Sequence, residues 1–314
     1  MPVSREEALW AYRLILGREP EDEGVLHRTG AASIGDLRRQ FLTSQEFIEQ
    51  WPYAVIGAHL NEAVDHVDPS ATSEQLALML DRIAAAWNAL GTDDPYWSML
   101  TDDRYRKQSI DSSVDEFYNS GTGDVERVIA TLRRNGIDPT DIRRVTDFGC
   151  GVGRLSLALA KRFPEVTGVD VSEPHVAIAR EQATKHNIGN ATFRSIKTVD
   201  ALTTLPECDL LVTLIVLQHN PPPLMVATLR HLLGRVAPGG IAVFQIPTYL
   251  AGYGFDAATY LANDQPQMEM NALPQRHIFA LAKRLGLDVL EVREDLSGGS
   301  QRIVSQTFLL QRPA

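Results

Sequence analysis

Val145-Thr-Asp-Phe-Gly-Cys-Gly-Val-Gly-Arg154, followed after a short run by Val166-Thr-Gly-Val-Asp170, is the stretch on which the fold turns. Val145 and Phe148 are apolar, as are Leu155, Leu157 and Leu159 beyond, and three glycines stand at alternate positions between them. That pattern reads as a buried strand breaking into a tight turn and then a helix. Gly149, Gly151 and Gly153 carry no Cβ and adopt positive φ readily, so a ligand can press against main-chain N–H groups where the helix begins. A second strand, Val166–Val169, ends on Asp170, where ribose hydroxyls are accepted when a nucleoside lies across the strand ends.

The spacing of the glycines separates two cofactor classes. A dinucleotide fingerprint, G-x-G-x-x-G counted from Gly149, demands glycine at position 154, which is Arg. The pattern is instead D-x-G-x-G-x-G, opened by Asp147 and followed by Asp170 at the end of the next strand. This closely resembles motifs I and II of the class I S-adenosylmethionine-dependent methyltransferases, over roughly residues 110–312. The resemblance implies an α/β fold, a doubly wound seven-stranded Rossmann-like sheet, and S-adenosyl-L-methionine as cofactor. It further implies that the turn of Gly149, Gly151, Gly153 and Arg154 wraps the methionine part of the cofactor. Asp147 is implied near the cofactor's ammonium group, and Asp170 on both ribose hydroxyls.

Downstream the chain alternates as a parallel α/β sheet requires. A helix is expected over Pro174–His186 with Ser172 as its cap, strands over Ala191–Ile196 and Asp209–Leu214, a helix over Pro223–Val236 and a strand over Ile241–Ile246. By resemblance Ile196 packs against adenine, and Leu214 is a further cofactor-binding candidate. Ser195 and Lys197 stand where the family often has an acid, so the adenine contact is left to packing and main chain. Pro274–Leu285 and the strands Val289–Arg293 and Gln306–Leu310 complete the sheet, the last strand antiparallel by resemblance.

The reactive end falls after the fourth strand, because open α/β sheets bind ligands at the carboxyl ends of their strands. Asn220-Pro-Pro-Pro223 differs from the Asn-Pro-Pro-aromatic motif of enzymes that methylate nucleic-acid amino groups: Asn220 lies eleven positions after Asp209, and Pro223 replaces the aromatic. Leu217-Gln-His219 instead resembles a leucine-polar-histidine signature of methyltransferases acting on small molecules and sugars. His219 is the candidate general base, since imidazole accepts a hydroxyl proton near neutral pH; its alternative role is to hydrogen-bond main chain beneath the site. No acid cluster after this strand resembles the magnesium site of catechol-type methyltransferases, and no metal is expected. Past the fifth strand, Tyr249, Tyr253, Phe255 and Met268 lie in an insertion where the family varies its acceptor pocket; packing beneath the insertion is their other reading.

Upstream of the first strand, Val114-Asp-Glu-Phe-Tyr-Asn-Ser-Gly121 reads as aromatic residues beside a Ser-Gly turn, where the family often folds a helical lid. Tyr118, Ser120 and Gly121 are therefore candidates for the cofactor's carboxylate end, with Trp97, Phe117 and Tyr118 alternatively core aromatics of the lid. Leu76, Leu80, Ile83, Trp87 and Leu90 step by three and four along a helix that Gly91 is expected to terminate.

The chain's 314 residues suffice for one large and one smaller domain. Residues 1–64 read as a helical accessory domain, 65–109 as a linker and helical connection, and 110–314 as the methyltransferase domain. In the first, Ser4 with Glu7 makes a capping box, Ala8, Tyr12, Ile15 and Leu16 recur at helical spacing, and Asp36–Gln50 repeats the pattern. The words Ala11-Tyr-Arg-Leu-Ile-Leu-Gly-Arg-Glu-Pro20 and Phe41-Leu-Thr-Ser-Gln-Glu-Phe47 resemble a small helical domain of unknown function, found in secreted repeat proteins and beside glycan-modifying enzymes. The Tyr-Trp pair that usually follows its Glu-Gly is missing. This resemblance implies a docking module, for a protein partner or for self-association; a helical cap that only buries apolar surface is the alternative. Asp65, His66 and Asp68 read as solvated linker residues.

The net charge of −10, with 16 acids, 7 arginines and no lysine in residues 1–95, argues against nucleic acid or an anionic membrane as partner. The sequence shows neither a signal peptide nor a membrane span, and Cys150 and Cys208 sit where a disulfide has no evident purpose, so a cytoplasmic setting is expected. Together these readings point to a methyltransferase acting on a hydroxyl of a sugar, glycan or small metabolite. An NAD-dependent oxidoreductase and a non-catalytic adapter of the same fold are the rivals.

Overall fold

The computed structural model describes residues 3–28, 30–50, 66–295, 297–299 and 302–314. The chain divides into two compact units, Met1–Val64 and Asp65–Ala314. Asp65 of the Asp65, His66, Asp68 trio lies outside the described residues.

The first unit holds α1 (Arg5–Ile15), α2 (Glu23–Arg28), α3 (Ile34–Leu42) and α4 (Gln45–Gln50). Ser4 and Glu7 form the expected reciprocal capping box. The pattern read over Asp36–Gln50 is two helices rather than one. Thr43 and Ser44 interrupt it by turning their hydroxyls onto the carbonyls of Arg39 and Phe41, the local competition that makes such residues helix breakers. Ala11, Leu16, Leu37 and Phe41 close a small core, with Tyr12 edge-on to Phe41 at 4.8 Å.

The second unit opens with α5 (Ser73–Asp93), α6 (Trp97–Leu100) and α7 (Val114–Arg134). The sheet then begins: β1 (Arg144–Phe148), α8 (Arg154–Ala160), β2 (Glu165–Asp170), α9 (Glu173–Lys185) and β3 (Ala191–Ser195). It continues through β4 (Cys208–Thr213), α10 (Pro222–Gly234), β5 (Val236–Leu250), α11 (Ala257–Ala262), α12 (Gln275–Leu285), β6 (Asp288–Asp295) and β7 (Ile303–Gln311). The seven strands lie in the order β3-β2-β1-β4-β5-β7-β6. β7 runs antiparallel to both neighbours and the pairs from β3 to β5 are parallel. The strand order reverses between β1 and β4, which makes their carboxyl ends the natural crevice.

Both faces of the central strands are buried, as a parallel sheet flanked by helices requires. Along β4, Leu210 and Val212 pack with Val145, Val166 and Leu159, while Leu211 points the other way, to Phe148, Val169 and Phe244.

Two glycines do something other than the sequence suggests. Gly91 does not end α5, which runs on to Asp93; it lies inside the helix, where a Cβ would stand 2.8 Å from the His175 ring and 2.9 Å from the Ser172 hydroxyl. Gly121 is not in a turn either, because Ser120 and Gly121 belong to the continuous α7. Its missing side chain lets α7 cross the carbonyl of Arg154. In both places a helix glycine is retained for close approach, which offsets its poor helix propensity.

Candidate active site

A cleft opens over the carboxyl ends of β1, β2 and β4. Its floor is Phe148, Gly149, Asp170, Val171, Val216 and Asn220, and its roof is Ile83 and Trp87 of α5 with Ser98 and Met99 of α6. The glycine turn forms because β1 cannot continue: the N–H groups of Gly149 and Cys150 both donate to the Val169 carbonyl, at 2.7 and 3.1 Å, folding the chain back over β2. Gly149 and Gly151 have φ of 76° and 51°. A side chain at Gly149 would collide with Val216, and one at Gly151 with Met99.

Asp170 closes the turn. One carboxylate oxygen accepts the Gly151 N–H at 2.8 Å and the other the Ser172 N–H at 2.9 Å. Each oxygen retains a lone pair for a further donor on the cleft side. Asp147 is buried beneath the turn, accepting the Ser156 hydroxyl at 2.5 Å, and burial pushes its carboxyl up to about 6. Gly153 starts α8 in the left-handed conformation and faces Ala179 and Phe193.

The other cofactor candidates lie around this cleft rather than on its lining. Tyr118 donates its hydroxyl to the Val152 carbonyl at 3.0 Å and so braces the turn from outside. Arg154 is turned to α7, paired with Asp124 at 2.6 Å and donating to the Ser120 hydroxyl at 3.1 Å. Tyr118, Ser120, Gly121 and Arg154 thus make the seam between α7 and the turn. Ile196 is buried in the core under the cleft, its N–H on the Asp170 carbonyl at 2.9 Å, and Leu214 packs on the opposite face, with the α7 and α8 cluster. Val171 and Val216, and neither Ile196 nor Leu214, are the apolar residues that line the cleft beside Asp170.

Val216 arrives there through an unusual backbone. Ile215 has φ of 61° and is 41% exposed, a conformation that is an outlier for a β-branched residue. Its N–H is held by the Gln245 side-chain oxygen at 2.9 Å, and the Gln245 amide nitrogen is held by Gln218 and Ser305 at 3.2 and 2.6 Å. This buried amide network over-determines the turn after β4 and throws Val216 across Gly149.

His219 follows in a 3₁₀ turn, Leu217–His219. Its Nδ1 lies 2.9 Å from the Glu269 carbonyl, so Nδ1 carries the proton, and the lone pair of Nε2 faces the Gln218 amide nitrogen at 3.4 Å. The Trp87 ring stands edge-on at 5.3 Å. Burial holds the imidazole pKa below its ordinary value. Glu269 belongs to the insertion after β5. Its buried carboxyl accepts from the Tyr260 hydroxyl and the Asn271 amide, both at 2.7 Å, and burial raises its pKa. Tyr253 donates to Asn271 at 2.7 Å, and Phe255 packs with Met79 and Tyr260. Arg82 of α5 ties the insertion down through the carbonyls of Tyr260, Leu261 and Asn263. Tyr253 and Phe255 therefore pack under the insertion.

Known structures share this fold. Magnesium protoporphyrin IX methyltransferase of Synechocystis PCC 6803, with S-adenosylhomocysteine bound, superposes with a TM-score of 0.50 at 22% identity over 73% of this chain and 98% of that one. The N-methyltransferase NodS of Bradyrhizobium japonicum WM9, also with S-adenosylhomocysteine, does so with a TM-score of 0.50 at 15% identity over 74% and 100%. Residues 145–240 match the sequence profile of the methyltransferase domain family. The chain carries a methyltransferase domain over those residues. The glycine turn lies inside the matched span.

Curated relatives overlap this chain in part. A ubiquinone biosynthesis O-methyltransferase of Alkalilimnicola ehrlichii is 37% identical over 105 residues, 32% of this chain and 40% of the relative. A protein of the same name from Neisseria meningitidis serogroup C is 28% identical over 195 residues, 58% of this chain and 79% of the relative. An uncharacterised RNA methyltransferase of Thermosynechococcus vestitus is 36% identical over 142 residues, 40% and 31% respectively. The chain thus spans less than half the length of the first and third relatives.

The residues present fit the cofactor. At Gly149 and Gly151 the missing Cβ lets Val216 and Met99 close on the turn and narrow the cleft above it. Asp170 presents a carboxylate that ribose hydroxyls could donate to, and Phe148, Val171 and Trp87 supply apolar walls suited to a base. The sequence alone did not indicate Ile83, Trp87, Ser98 and Met99 as roof. The apolar stripe of α5 showed that the helix packs on something, and nothing in its spacing said on what. Asp170→Ala is expected to weaken cofactor binding at least about tenfold by calorimetry, since it removes charge-assisted hydrogen bonds worth roughly 1.5–3 kcal/mol; a folded variant with parental affinity would refute the ribose assignment.

Proposed function

We propose that this methyltransferase transfers a methyl group to a hydroxyl oxygen of a small acceptor, a sugar, glycan or other small metabolite, with His219 as general base. The observation that carries the reading is the fixed tautomer of His219 at the end of β4: Nδ1–H on the Glu269 carbonyl, with Nε2 an acceptor that the Gln218 amide approaches at 3.4 Å and that an acceptor hydroxyl would have to take over. S-adenosylmethionine supplies a methyl group already activated on a sulfonium. The chain's task is to hold the acceptor oxygen in line and remove its proton. A ring held neutral by burial is suited to that at neutral pH. Relatives named as O-methyltransferases support oxygen as the methylated atom. The helical unit before residue 65 is read as a docking module for a partner or a second copy.

Incubating cell extracts with the enzyme and methyl-labelled cofactor tests the acceptor class. A labelled methyl ether on a saturated carbon is expected; label on nitrogen, sulfur or carbon would overturn the O-methylation reading and leave the methyltransferase standing.

Asp147 adds a pH dependence. In the unfolded chain its carboxyl ionises near pH 4, whereas in the folded chain it does so at about 6. Folding stability from this group is therefore lost as pH rises between those values. A cofactor ammonium beside it favours the ionised form, so cofactor affinity is expected to rise with pH up to about 6 and then level off. Asp147→Asn should flatten that rise in calorimetric titrations; an unchanged slope would remove Asp147 from the ammonium site.

A further inference from the structure

His175 is fully buried in the first turn of α9, and neither the glycine turn nor the proposed chemistry uses it. Its two ring nitrogens are both engaged. Nδ1 lies 2.8 Å from the Ser172 hydroxyl and Nε2 lies 2.9 Å from the Ser98 hydroxyl. Those serines belong to different parts of the cleft. Ser172 is two residues beyond Asp170 and its N–H holds that carboxylate, while Ser98 is on the roof helix α6, beside the Met99 that covers Gly151.

Three local departures converge on this ring. Ser172 stands at the N-cap of α9, yet its hydroxyl makes no cap bond; it reaches instead to the Trp87 carbonyl at 3.1 Å and to His175. Ser98 likewise spans the Pro95 carbonyl at 2.9 Å and His175. Gly91 weakens the interior of α5 and brings its backbone against the imidazole and the Ser172 hydroxyl. A good cap and a good helix residue are both given up, and local rules broken together mark a functional constraint. Imidazole is suited to the place because it is rigid and carries polar atoms on opposite edges.

We propose that His175 is a positioning residue, a latch that fastens the roof helices α5 and α6 to the Asp170 loop and so holds the cofactor cleft closed around the ribose. The inference rests on the reading of this cleft as the S-adenosylmethionine site. His175 does not itself line the cleft and acts through Ser172 and through Ser98, which does. When the latch is made, Trp87, Ser98 and Met99 are fixed over Gly149 and Asp170; when it is broken, α6 loses the Ser98 tie to the floor and α5 keeps only the Ser172 hydroxyl on the Trp87 carbonyl.

Gly91→Ala tests this with a sign that decides. The added methyl crowds the buried His175 ring and costs stability in either case, so the binding readout decides: without a latch the variant binds cofactor as the parent does. With the latch, the new methyl displaces His175, and affinity for S-adenosylhomocysteine should fall about tenfold by calorimetry. Trypsin cleavage at Arg104, Arg106 and Lys107, just past α6, should be slowed by S-adenosylhomocysteine in the parent and not in the variant. Ser98→Ala, which removes only the hydroxyl, carries the same test should alanine at 91 unfold the chain. Leu232→Ala, a core truncation in α10, serves as control: it should lower the melting temperature while keeping affinity and protection. Parental affinity and protection in Gly91→Ala or Ser98→Ala would overturn the latch. A parent chain that bound no S-adenosylhomocysteine would instead overturn the site reading, and the latch with it.

Discussion

His219→Ala is expected to lower kcat by about 10²–10⁴-fold while the cofactor Kd stays near the parental value, because the loss is confined to the transition state. The parent's rate should rise with pH through an apparent pKa below the ordinary 6.5, since burial disfavours the charged ring and the base acts only when neutral. The variant should lack that limb. Some stability should also go, roughly 1 kcal/mol, with the hydrogen bond to the Glu269 carbonyl. A variant that binds cofactor poorly and keeps the parental pH profile in its remaining activity would assign His219 to loop support.

Gly151→Val is expected to abolish cofactor binding and to lower the melting temperature. The residue has φ of 51°, in the left-handed region that a β-branched side chain tolerates at a cost of about 1–3 kcal/mol, and its Cβ would run into the Met99 sulfur. The two effects separate in a double variant. Trimming Met99 to Ala beside Gly151→Val should recover part of the melting temperature and none of the affinity, because the valine still occupies the cradle. Recovered affinity would mean that the turn binds nothing at Gly151.

The sheet and its turn were legible because their signals are local: alternating glycines after a buried strand and an acid at the end of the next. Most strand and helix boundaries shifted by a residue or two, β7 began three residues before Gln306, and β5 proved longer at both ends than Ile241–Ile246. What could not be read was how distant side chains meet. Gly91 reads as a helix stop in sequence because glycine usually is one, and only the buried His175 against it explains why α5 continues. Ser172 reads as a cap, yet its hydroxyl is taken by partners 85 residues upstream and 3 downstream. Arg154 reads as part of the cofactor turn, while its guanidinium answers to Asp124 on a helix whose path depends on Gly121. Ile215 gave no signal at all, since its backbone is imposed by Gln245 from a neighbouring strand.

The cleft is assembled from two stretches of chain that meet only in the fold. Residues 145–240, the part matched by the family profile, supply the floor, and Ile83, Trp87, Ser98 and Met99, which overhang it, lie outside that span. The two are fitted to each other, with Met99 over Gly151 and the Ser172 hydroxyl on the Trp87 carbonyl. Residues 145–240 transplanted alone would therefore carry the floor of the cleft and leave it uncovered.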